Sequence, residues 1–157
     1  MRTLTIDVPD EAALAPLARA LMAALPRGAF VALTGDLGAG KTTFVKACAA
    51  AAGIDPAEVV SPTFGLIHVH AGPRGRLIHA DVYRLPDVND LHETGWDDTV
   101  ATADCTFLEW PERIAAALPE DRLDVAIAIT GPTSRAFTLT SRGPVHDRVV
   151  AAVAETR

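Results

Sequence analysis

Lysine is nearly missing from this chain: only Lys41 and Lys46 occur, although arginine is plentiful among its 14 basic residues. The 20 acids outnumber the bases and set a net charge of −6, and no basic run appears. Proteins that hold nucleic acid unaided draw most of their affinity from neutralising phosphates. Tight direct binding to DNA or RNA is therefore not expected, although a partner could bring the basic surface. Cysteine is as scarce, with Cys48 and Cys105 far apart in sequence. Two thiols within a helix and a strand read as buried free side chains of a reducing compartment, not as a disulfide framework. Long apolar runs are also lacking. The longest, around Ala47 to Ala52, is much too short to span a bilayer. Met1-Arg2-Thr3-Leu4-Thr5 leads directly into strand-like alternation with no signal-peptide pattern, so no membrane association and a cytoplasmic location are expected. The histidines, His68, His70, His79, His92 and His146, show no zinc-type pairing with the cysteines and are expected at the surface or behind a site.

What remains is ordinary globular material. At 157 residues, 49% apolar and 22% charged, the chain suits one domain over residues 1–157, without internal repeats or low-complexity linkers. Leu4 to Val8 alternates as a strand. Pro9-Asp10 opens a helix with a stripe at Leu14, Leu17, Leu21 and Leu25, which Pro16 should kink or split. Phe30 to Thr34 is continuously apolar, as in a strand buried on both faces. A helix is expected from Lys41 to Ala52, stopped by Gly53, and further strands at Leu77–Ala80, Cys105–Leu108, Leu123–Ile129 and Ala136–Thr140. The last two, joined by Gly131-Pro132-Thr133-Ser134, read as an antiparallel hairpin. Val145, Val149, Val150 and Val153 suggest a short closing helix. The expected fold class is α/β, a three-layer sandwich on a mixed, mainly parallel sheet with an antiparallel C-terminal hairpin.

Between the apolar strand and its helix stands Gly35-Asp36-Leu37-Gly38-Ala39-Gly40-Lys41-Thr42. Glycines at 35, 38 and 40 let the backbone curl until successive amides face one anion, and the next helix adds its positive end. Lys41 can then reach the β- and γ-phosphates of ATP, and the Thr42 hydroxyl can ligate Mg²⁺. Such a loop predicts a P-loop fold. A chance match would rarely bring the strand, the helix and one of only two lysines into register.

Hydrolysis asks for more: an acid that holds Mg²⁺ through water and groups that position the attacking water. Carboxylates at the C-terminal ends of buried strands lie beside the loop. Glu109, after Cys105–Leu108, and Asp81, after Leu77–Ala80, qualify. Thr63, in Ser61-Pro62-Thr63-Phe64, could sense the γ-phosphate as a switch. Trp110 reads more as packing than as a ligand contact.

The loop through Thr43-Phe44, then Ser61-Pro62-Thr63-Phe64, His79-Ala80-Asp81-Val82-Tyr83-Arg84 and Leu108-Glu109-Trp110-Pro111, taken in this order and spacing, resembles the TsaE (YjeE) family. That resemblance, from about residue 4 to 140, implies a P-loop ATPase of tRNA threonylcarbamoyladenosine biosynthesis. It implies partners TsaB and TsaD, which install the modification next to the anticodon, and contact with tRNA only through that assembly. ATP and Mg²⁺ are the implied cofactors. Gly38, Ala39, Gly40, Lys41, Thr42 and Thr43 would bind ATP, and Thr42 and Glu109 would hold the metal. Lys41, Thr63, Asp81 and Glu109 would carry catalysis. Glu11 matches a position near the nucleobase and Arg135 an arginine near the nucleotide. Phe64 departs from the tyrosine of many members. Arg84 or Arg135 could act as an arginine finger, but neither is in an obvious place for it, so slow hydrolysis by the isolated chain is expected. A small-molecule kinase and a non-hydrolysing nucleotide switch are the rival readings, and Asp87, Asp90, Glu93, Asp97 and Asp98 read equally as a candidate docking patch or a plain solvated loop.

Overall fold

A computed structural model of the chain describes residues 1–62 and 66–156. Its strands are β1 (Thr3–Val8), β2 (Ala29–Thr34), β3 (Ile67–Gly72), β4 (Gly75–Asp81), β5 (Cys105–Glu109), β6 (Arg122–Ile129) and β7 (Arg135–Arg142). The helices are α1 (Leu14–Ala24), α2 (Lys41–Ala51), α3 (Val88–Glu93), α4 (Trp96–Ala101) and α5 (Pro144–Glu155), with 3₁₀ turns at Glu11–Ala13, Pro56–Glu58 and Pro111–Ala117.

All seven strands join one sheet in the order β1-β7-β6-β2-β5-β4-β3. The four central strands β6, β2, β5 and β4 run parallel, and the pairs at both edges are antiparallel. Residues alternate between two apolar clusters, one on each face of the sheet. Val31, Leu33 and Phe107 pack with Leu17 and Leu21 of α1, Phe44 and Val45 of α2, and Val149 and Val153 of α5. Phe30, Ala32 and Leu108 pack on the other side with Leu91 of α3, Trp96 of α4 and Ile114. The result is the three-layer α/β sandwich expected of a P-loop fold. Burial of each such Leu or Phe contributes about 1.5–3 kcal/mol, so the parallel centre is the stable frame on which the loops are mounted.

Three expectations need correction. Pro16 does not break its helix. It lies in the first turn of α1, after the Glu11–Ala13 turn, where a missing N–H removes little. Asp10 caps this entry by accepting the Ala13 N–H at 3.0 Å. Ile67–Gly72 forms an edge strand, β3, that had not been expected; it pairs antiparallel with β4 through a tight turn at Pro73-Arg74. Its half-exposed sequence hid it, because an edge strand needs no continuous apolar run. In α5 the inward position near the start belongs to His146, whereas Val145 is exposed. Both cysteines are buried and free, as expected.

Candidate functional site

The carboxyl ends of β2, β4 and β5 meet at one rim of the sheet. After β2 the chain curls through the 35–40 loop into α2. Gly38 (φ 84°) and Gly40 (φ 105°) take left-handed backbone that an L side chain would strain. A Cβ on Gly35 would come within 2.8 Å of the Ile127 carbonyl of β6, so the loop can lie this close only without a side chain there. From the other side, the Arg135 guanidinium of β7 donates to the Ala39 carbonyl at 2.9 Å, and to those of Gly131 and Ser134. The C-terminal hairpin thus buttresses the loop from β6 and pins it from β7.

Lys41 opens α2 and is almost fully buried. Its ammonium donates to the Gly35 carbonyl at 2.5 Å and lies 3.6 Å from the centre of the Trp110 ring. Burial pulls its pKa down, against the opposing fields of Glu109, Glu112, Asp81 and Asp36. Trp110 adopts left-handed backbone (φ 62°), rare for a residue with a bulky side chain, just beyond β5. Its ring also stacks against Tyr83 at 4.7 Å, which in turn lies under Arg113. Trp110 is therefore an aromatic floor for the lysine, which exceeds the packing role read from sequence.

The acids come together as expected. Parallel pairing sets Asp81 of β4 beside Glu109 of β5, and Glu109 beside Leu33 of β2. Glu109 is buried, and its Oε2 accepts the Thr42 hydroxyl at 2.8 Å. Asp81 accepts the Tyr83 backbone N–H at 2.9 Å and the Ser61 hydroxyl at 3.4 Å. Burial raises the Asp81 pKa above the usual carboxylate range, helped by Glu109 and opposed by those hydrogen bonds and His79. Thr42, Glu109 and Asp81 offer only hard oxygen donors, the set that suits Mg²⁺ rather than zinc or copper.

A cleft of about 510 Å³ continues from the loop, between the Glu11–Ala13 turn and the start of β7. Gly38, Ala39, Gly40 and Thr43 line it together with Glu11, Leu14, Pro132 and Arg135. These two residues, from distant parts of the chain, thus share one cavity with the loop. Thr63 and Phe64 lie outside the described residues.

His79 is one of the histidines expected at the surface or behind a site. It is fully buried and hydrogen-bonds Glu109, on the same β4 face as Asp81 two residues on. Period-2 alternation was the available signal. His68 and His70 lie nearby on β3, their pKa values lowered by burial and by His79. His79 thus stands behind the site, one of the two expected places; His146 is buried far from the rim and fits neither, and exposed His92 pairs with Asp97. Arg84 is exposed, and the Arg135 guanidinium is committed to carbonyls. Within the acidic stretch, Asp87 caps α3 by accepting the Asn89 N–H. Among the described residues, no helix is long and apolar enough to cross a membrane.

The family described as "Threonylcarbamoyl adenosine biosynthesis protein TsaE" matches residues 8–137. A protein of Treponema pallidum named tRNA threonylcarbamoyladenosine biosynthesis protein TsaE is 39% identical over 115 residues, 73% of this chain and 84% of that protein. A Bacillus subtilis protein of the same name is 38% identical over 116 residues, 74% of this chain and 72% of that one. The crystal structure of YdiB from the same organism superposes with a TM-score of 0.81 at 28% identity, covering 98% of this chain and 95% of that one.

Proposed function

The chain belongs to the TsaE family, and on that premise we propose that it is the ATP-hydrolysing subunit for threonylcarbamoyladenosine modification of tRNA, acting in the cytoplasm with TsaB and TsaD. The observation that carries this reading is the meeting of Lys41, Thr42 and Glu109 at the end of three parallel strands, under a glycine-bent loop.

Loop amides from Gly38 to Thr43, with the Lys41 ammonium, hold the phosphates. Thr42 and Glu109 would hold Mg²⁺, which would supply positive charge to the bound phosphates. Asp81, oriented by the Tyr83 N–H and the Ser61 hydroxyl, orders the attacking water together with Thr63. The cleft bearing Glu11 and Arg135 receives the nucleoside. Because Arg135 already braces the loop and Arg84 is exposed, the transition-state cation comes from a partner, a contribution of about 10³–10⁵ in rate in other P-loop enzymes. A net charge of −6 leaves the tRNA to those partners.

The test combines the chain with TsaB, TsaD and tRNA and follows ATP consumption and modified adenosine. Slow hydrolysis alone, acceleration in the mixture and loss of both signals with Lys41→Ala are expected. If the chain alone turned over at the ~1–100 s⁻¹ typical of kinases, partner dependence would be refuted.

A further inference from the structure

His79 takes no part in the phosphate chemistry above, yet every atom of its side chain is out of solvent. Backbone pairing on both sides of β4 sets it opposite His68 on β3 and Phe107 on β5. A carboxylate only accepts hydrogen bonds, so the ring carries its proton on Nε2 and donates it to Glu109 Oε2 at 2.5 Å. That same Oε2 accepts the Thr42 hydroxyl at 2.8 Å. Among the described residues no donor reaches Oε1, and the His79 Nδ1 is buried with no partner. An unpaired buried nitrogen is unfavourable, and a residue chosen only to fill the core would be apolar or fully paired. The bond to Glu109 is what the imidazole gains in exchange.

We propose that His79 is the positioning residue of the metal acid. By sharing Oε2 with Thr42, it fixes the Glu109 carboxyl so that the Thr42 O–H stays turned toward it. The Thr42 oxygen lone pairs and Glu109 Oε1 are then left for Mg²⁺. This inference rests on the reading of Thr42 and Glu109 as the metal pair. Such outer partners of metal ligands typically change metal affinity by about 10–100-fold when removed.

The experiment titrates Mg²⁺ against a fluorescent ATP analogue bound to the full chain, and repeats the binding in EDTA. Wild type is compared with His79→Gln, whose amide nitrogen can stand in for Nε2, and with His79→Asn and His79→Leu, which cannot reach. Wild type and the glutamine variant should respond at similar Mg²⁺ concentrations, and the other two should need about 10–100-fold more. All four should bind the metal-free nucleotide alike. The inference is overturned if leucine leaves the Mg²⁺ requirement unchanged, if glutamine is as impaired as leucine, or if metal-free binding falls in parallel. Should the leucine variant not fold, the contrast of glutamine with asparagine decides the matter by the same criteria. A wild type indifferent to Mg²⁺ would instead remove the metal reading of Thr42 and Glu109.

Discussion

Both ends of the central strands bury a histidine against a carboxylate, and the two pairs differ in how completely they are satisfied. At the amino ends, His146 donates from Nδ1 to Asp121 at 2.6 Å and accepts the Phe30 N–H on Nε2 at 3.2 Å. Asp121 also accepts the N–H groups of Val145 and His146 at the start of α5. Burial works to raise the Asp121 pKa, but these bonds outweigh it and hold the carboxyl below its usual range. That network is closed and ties α5 to the sheet. At the carboxyl ends, among the described residues, His79 Nδ1 has no partner and Glu109 Oε1 no donor, and the Lys41 ammonium rests on a carbonyl and an indole. The partly unsatisfied groups gathered beside the loop are open to a ligand, whereas the satisfied pair serves architecture; His70 Nε2 on edge strand β3 also lacks a partner among the described residues, so an orphaned nitrogen alone does not mark a site.

The contrast can be broken by exchanging its consequences. Lys41→Ala should weaken ATP binding by about 3 kcal/mol, roughly 150-fold in Kd, with thermal stability unchanged or raised because a desolvated charge is removed. Glu109→Gln should keep most binding yet lower hydrolysis by more than about 100-fold; equal losses of affinity in both variants would contradict their separate roles. At the other end the pattern should invert. His146→Ala should lower stability by about 2 kcal/mol, and Tm by roughly 4–8 °C, because the Phe30 N–H loses its acceptor and Asp121 loses one of its donors. Its nucleotide Kd should stay within about twofold, since no contact of His146 reaches the rim. Calorimetry and equilibrium binding on the same samples check both halves.

Smaller effects sharpen the picture. In a Trp96→Phe background, Trp110 is the sole tryptophan, and its emission should change when ATP-Mg²⁺ draws Lys41 from the ring. An unchanged spectrum would separate the indole from the lysine's working position. Trp110→Phe should weaken nucleotide binding by only about 0.5–1 kcal/mol, since a smaller ring still offers a face to the ammonium. Smallest of all is the thiol signal. Desolvation pushes the Cys105 pKa up to about 12 and that of Cys48 well above its usual value. The native protein should therefore show no fast-reacting thiol at pH 8, and two after denaturation, in a disulfide-exchange assay.

The loop and its acids were legible because their chemistry is local. Gly35, Gly38, Gly40, Lys41 and Thr42 lie within eight residues, and Asp81 and Glu109 each follow a short, mostly apolar segment that reads as a strand. The same local logic revealed the closing helix and the C-terminal hairpin. Edge strand β3 escaped it because its half-exposed residues carry no apolar run, and Pro16 misled because its effect depends on the turn it occupies.

Local pattern alone determined that this chain would bend sharply after β2 and bring a lysine, a hydroxyl and two strand-end acids to one rim of the sheet. Tertiary structure decided everything that depends on register between distant strands: that His79 meets Glu109, that Trp110 underlies Lys41, that Arg135 grips the loop at Ala39, and that Glu11 faces the same cleft. The reason is physical. Residues 30 or 96 positions apart along the chain, as in the His79–Glu109 and Ala39–Arg135 contacts, meet only once the whole sheet has paired. No period in the sequence encodes which oxygen of a carboxylate a distant ring will hold.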